Sequence, residues 1–260
     1  MVTHSPVCES PSRLKLVYQS FGRFRCCVWL VSTIAFGCSE GTPSADGARR
    51  PTPGCRAPAG VQSAPRTIDE VVTLINALPK PLSLPCFLES LERPLEVNLT
   101  YSLFSAQPAQ GTRSPRIFLF RDPTVLSIVP EGDGAALLEF GEQRPEFRSL
   151  KAEITFPVSA RLERSAPFDH LLATPQLTTC GGCHAAESQE TEILGVPTFV
   201  SQALRPRPQE QVSLASLNYE LEICDRVLEP RRCAMLDALL GWGPVNERSF
   251  PVAMPTFGGF

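Results

Sequence analysis

Ser149-Leu150-Lys151-Ala152-Glu153-Ile154-Thr155-Phe156-Pro157-Val158 alternates apolar and polar side chains from Leu150 to Phe156. Successive side chains of a strand point to opposite faces, so Leu150, Ala152, Ile154 and Phe156 share a buried face while Lys151, Glu153 and Thr155 share a wet one. One wet face is the mark of an antiparallel sheet. Working back toward the N-terminus, short apolar runs at 95–104, 116–120, 124–129 and 135–140 are separated by turn residues such as Glu131-Gly132-Asp133-Gly134. An antiparallel β-sheet or small sandwich is therefore expected. Ahead of it, Thr67 and Glu70 have capping-box spacing, and Ile68, Val71, Val72, Ile75 and Leu78 keep helical spacing until Pro79 stops it. Beyond residue 167 the pattern turns to helix and loop, with helices expected over 214–224 and 232–240. The fold class is α+β: an N-terminal helix, the sheet, then a helix/loop C-terminal segment.

The 260 residues are 43% hydrophobic, enough for one large or two small cores. A net charge of -3 with no block of like charges gives no field to gather polyanions, which sets nucleic acid aside as a partner. The 26 prolines speak for short strands and frequent turns over a helical bundle.

At the N-terminus, Arg23 and Arg25 precede an apolar run over 26–36, too short for an ordinary spanning helix, and Gly37-Cys38 follows at once. This arrangement resembles the signal peptide and lipobox of bacterial lipoproteins. The resemblance implies export, lipidation of Cys38 as the first mature residue, and, from Ser39, sorting to the outer membrane. The membrane would then be a partner through the lipid anchor. Residues 1–37 read as the signal peptide. The Gly-, Pro- and Ala-rich stretch 38–66 reads as a flexible tether, because it lacks the apolar surface needed to offset ordering. Residues 67–166 form the β-rich domain and 167–260 the helix/loop segment.

That last segment holds Cys180-Gly181-Gly182-Cys183-His184. The C-x-x-C-H spacing lets two thiols reach neighbouring edges of one porphyrin, small glycines allow close backbone approach, and the adjacent histidine falls beneath the iron. The motif resembles the haem-attachment site of c-type cytochromes, which implies one covalent haem c at Cys180 and Cys183 with His184 as axial ligand. Attachment outside the cytoplasm agrees with the export signal. The resemblance covers the motif alone, since the order of elements departs from that of small monohaem cytochromes. For the sixth iron position the candidates are His170, in an apolar stretch before the motif, and Met254, in a Met-Pro segment. Met235, on a helix, reads as core packing. A zinc site would need further ligands, and His170 is the only other histidine after the signal.

Cys224 and Cys233 flank a turn between two helices, and a disulfide there would clamp a helical hairpin in an oxidising compartment. Cys86 pairs with Cys55 or stays buried as a small apolar residue. Three functions are compatible with this pattern. The leading one is an exported, lipid-anchored monohaem protein passing single electrons to a redox partner protein, an electron carrier more than a catalyst. The others are a surface structural or binding lipoprotein with paired cysteines and no haem, and a haem enzyme or sensor with an open sixth site.

Overall fold

The computed structural model describes residues 53–256 except 104 and 106. The signal peptide, the lipobox and Cys38 lie outside these residues, as does the first half of the tether. The remainder of that stretch, 53–66, is held against the fold. Cys55 is 8% exposed and disulfide-bonded to Cys86, and Ser63 O accepts from Glu92 N. The bond and the packing of Ala57 and Val61 on the core supply what composition alone does not.

Helix α1 (Ile68–Ala77) starts where the capping residue puts it, with Thr67 Oγ1 accepting from Glu70 N at 3.1 Å. Its Ile68, Val71, Leu74 and Ile75 are buried. A second short helix, α2 (Leu84–Glu89), follows Ser83, whose hydroxyl accepts from Cys86 N. Pro85 sits in its first turn, where a missing N–H costs nothing.

The strands β1 (Leu95–Thr100), β2 (Arg116–Arg121), β3 (Thr124–Ile128), β4 (Leu137–Arg144) and β5 (Arg148–Thr155) form an antiparallel meander close to the expected boundaries. After β5 the chain leaves the sheet through α3 (Ala166–Asp169) and the two-stranded β6 (Leu172–Thr174) and β7 (Leu177–Thr178). It returns as β8 (Ser188–Ile193) and β9 (Val196–Gln202), a hairpin in the stretch read as helix and loop. The helices α4 (Leu214–Glu222) and α5 (Pro230–Leu240) lead to β10 (Val245–Glu247), which pairs parallel to β1. One eight-stranded sheet results, in the order β10-β1-β2-β3-β4-β5-β9-β8, and the fold is α+β. The described residues belong to one compact unit.

Alternation along the strands splits the sheet into two unlike faces. Val97, Leu99, Ile117, Leu119, Leu126, Leu138, Ala152 and Ile154 all face the core. Helices α1, α2 and α5 contribute to the same core through Ile75, Phe87 and Leu236, each 0% exposed, and Met235 joins them at 3%. Among the described residues no helix is long and apolar enough to cross a membrane. The opposite face carries Arg116, Phe118, Ser127, Glu139, Lys151 and Glu153, and it forms the floor of a cleft.

Candidate functional site

The excursion between β5 and β9 brings the cysteine-histidine motif over that polar face. Residues Thr179–Gly182 form a 3-10 turn whose first N–H groups are held from outside, with Thr178 Oγ1 accepting from Cys180 N at 3.1 Å. Cys180 O then accepts from both Cys183 N at 3.0 Å and His184 N at 2.9 Å, so one turn of backbone carries both cysteines and the histidine. Glu187 reaches back to accept from the backbone N–H and the hydroxyl of Thr178. Gly181 makes that approach possible, because a Cβ there would stand 2.7 Å from Glu187 Oε1. Its neighbour Gly182 has open space around it.

Cys180, Cys183 and His184 line a cleft of about 210 Å3, partly open to solvent. The floor is polar toward β5 and apolar toward β2, where Phe118, Phe120 and Val125 meet Ala203, Phe250 and Met254 in a small second cluster. Gly141 lies between Lys151 and Val125 in the strand register. A Cβ at 141 would meet Leu150 O at 3.3 Å and Ser149 Cβ at 3.4 Å, and a glycine inside a strand lets a ligand approach the backbone closely.

The chemistry of the histidine is fixed by one hydrogen bond. His184 Nδ1 lies 2.8 Å from Gln202 O, and a carbonyl can only accept, so the ring proton sits on Nδ1 and Nε2 keeps its lone pair. Burial, followed by the nearby Lys151 cation, pushes the ring's pKa down to about 4, leaving it neutral at pH 7. Cys180 is half-buried and burial raises its thiol, an effect that Lys151 partly opposes. Cys183 is exposed. Lys151 itself is pushed down to about 8 by burial. Its Nζ donates to Ser149 Oγ at 2.7 Å and approaches Gln202 O at 3.5 Å. Arg116 donates to Ser127 Oγ, Ser105 Oγ and Glu139 Oε2, and its guanidinium stands 4.9 Å over the Phe118 ring.

Of the residues singled out in the sequence, Cys180, Cys183, His184 and Met254 all line this one cleft. Met254 is 5% exposed. His170 is not among the lining residues. Its Nε2 lies 2.8 Å from Glu153 Oε1, so that nitrogen is engaged with a carboxylate in this conformation. Cys224 and Cys233 are disulfide-bonded with a Cα–Cα distance of 5.7 Å, while Cys180 and Cys183 are free thiols. Among the described residues, no group of three or more His, Cys, Asp and Glu is placed to hold a metal ion.

Sequence reasoning did not single out Lys151, Gln202, Gly141 or Arg116. The alternation of β5 does put Lys151 and Glu153 on one face, but nothing local tells that face from open solvent.

The residues present suit a haem. Two free thiols lie one helical turn apart at the cleft's edge, beside a neutral imidazole with a free Nε2. An apolar wall containing a buried thioether stands within the same cleft, above a floor with a glycine gap. Comparisons of the chain with protein-family models, with curated proteins and with solved structures found no match.

Proposed function

We propose that this protein is an exported, lipid-anchored carrier of one covalently attached haem c, and that it passes single electrons to a redox partner protein. The observation that carries the reading is the state of His184. Its Nδ1–H is spent on Gln202 O and its Nε2 is free within the cleft, on the same turn as two unbonded thiols. An axial histidine needs this tautomer, with the second nitrogen anchored to a carbonyl or carboxylate.

Cys180 and Cys183 would hold the haem as thioethers, and His184 would ligate its iron. The group supplies a reversible one-electron couple when bound. The chain's own residues do the rest. Gln202 fixes the plane and tautomer of the imidazole, and Thr178 with Glu187 holds the turn that carries the thiols. Phe118, Val125 and Phe250 exclude water from one end of the cleft, and Met254 offers a thioether sulfur in the same wall. The engagement of His170 Nε2 with Glu153, and the place of Met254 in the cleft lining, favour Met254 over His170 as the sixth ligand. Export and anchoring at Cys38, at the periplasmic or outer-membrane surface, would agree with two disulfides, which persist in oxidising compartments.

The test is expression with a c-type haem maturation system, followed by haem staining of the denatured protein and a pyridine haemochrome spectrum. A denaturant-resistant haem with a c-type α-band is expected, absent from a Cys180→Ser, Cys183→Ser double variant. A folded wild type without bound haem would overturn the proposal and return the chain to a disulfide-braced surface lipoprotein.

A further inference from the structure

Lys151 is a half-buried cation to which the haem reading has so far assigned no role. It projects from β5 into the cleft that holds His184 and Cys180. The ionisable groups nearest it are the Cys180 thiol, Glu139, Arg116 and Glu187. Of the two carboxylates, Glu187 is held by Thr178 and Glu139 Oε2 by Arg116 Nη2 at 2.5 Å, while Glu139 Oε1 has no hydrogen-bond partner. Among the described residues Lys151 has no ion pair, and its firm hydrogen bond is to the Ser149 hydroxyl.

We propose that Lys151 sets the reduction potential of the haem held at Cys180, Cys183 and His184, acting as a positioning residue through its charge and through Gln202. The inference rests on the haem reading. Two effects act in the same direction. First, a cation within the cleft favours the reduced iron, which carries one positive charge fewer. Second, Lys151 Nζ at 3.5 Å shares the carbonyl that binds His184 Nδ1 at 2.8 Å. A carbonyl polarised by a cation accepts less strongly from the imidazole. The ring then donates less electron density through Nε2, and the oxidised iron is less stabilised.

The experiment compares holoprotein of the wild type, Lys151→Met and Lys151→Arg by spectroelectrochemical titration at pH 6.5, with haem content and the low-spin spectrum recorded for each. The expected result is a more negative midpoint potential in Lys151→Met, recovered in Lys151→Arg, with haem content unchanged. A purely structural lysine would not give a shift that follows charge. If Lys151→Met does not fold, Lys151→Gln is read in its place, since it keeps a donor for Ser149 and loses the charge. Haem-loaded Lys151→Met, or its replacement, with the wild-type potential overturns this inference and leaves the haem reading standing. A wild type that takes up no haem overturns both.

Discussion

His184 Nδ1 and Lys151 Nζ converge on one acceptor, the carbonyl oxygen of Gln202, at 2.8 and 3.5 Å. The imidazole is held neutral there, with burial as the larger cause and the lysine charge as the next, and its pKa is pushed down to about 4. In protein produced without haem, the unfolded chain takes up a proton near the ordinary histidine value and the folded chain only near 4. The stability this contributes is fully present above pH 6.5 and is lost as pH falls from there through 4, amounting to about 3 kcal/mol. Urea titrations between pH 7 and 4 should show this decline, and His184→Gln should flatten it. An unchanged slope in the variant would show that the ring takes up its proton alike in the folded and unfolded chain.

His170 titrates with the opposite sign. Its hydrogen bond to Glu153 raises the ring's pKa, so the pair's stabilisation is complete below the ordinary histidine value and is lost as pH rises through the raised one. The ring is 42% exposed, and solvent screening keeps the effect small. Glu153→Gln should bring the His170 titration, followed by its ring proton shifts, down toward the ordinary value. A midpoint unmoved by that change would assign the shift to the Ala166 carbonyl and the neighbouring Asp169.

The local parts of this protein are legible in its sequence, and the non-local parts are not. Strand β5 announces itself because its alternation is complete within eight residues, and α1 because Thr67 and Glu70 mark its start. The hairpin of β8 and β9 does not, since β8 is polar and almost wholly exposed and β9 contains Pro197. What makes β9 a strand is pairing with β5, far away in sequence. The same division runs through the site. Five consecutive residues spell the cysteine-histidine motif, whereas Lys151, Gly141 and Gln202 acquire meaning only when the fold sets them beside it. Of the sixth-ligand candidates, the one nearer the motif in sequence is engaged with Glu153, and the distant Met254 shares the cleft.

The two disulfides should matter unequally. Cross-linking residues 31 apart, as in Cys55–Cys86, removes more freedom from the unfolded chain than the span of 9 between Cys224 and Cys233. Loop-closure entropy gives about 3.5 and about 2.5 kcal/mol respectively. Cys224→Ser with Cys233→Ser should also leave Arg232, 2% exposed and 3.6 Å from Cys224 Sγ, in a looser hairpin. Denaturation midpoints of the two double variants, compared with the oxidised wild type without reductant, read these losses. A Cys55→Ser, Cys86→Ser protein as stable as wild type would show that 53–66 is held by packing alone.

Met254 has two separable roles, packing and ligation. Its side chain is 5% exposed among Phe120, Ala203 and Phe250, and Arg205 Nε donates to its carbonyl at 2.8 Å, fixing the segment from the backbone side. Truncation to alanine should cost about 2–4 kcal/mol through the cavity it leaves, whether or not iron is present. Met254→Leu keeps most of the volume and should cost under about 1.5 kcal/mol, yet it removes the sulfur. Ligation is therefore read from the leucine variant. In the holoprotein it should lose the sulfur-to-iron charge-transfer absorption, bind added imidazole readily, and shift to a more negative potential, because a thioether ligand raises the potential relative to nitrogen donors. His170→Ala should leave all three unchanged. If the histidine variant changes the spectrum and Met254→Leu does not, the iron draws its sixth ligand from a rearranged His170, and the contact with Glu153 must break when haem binds.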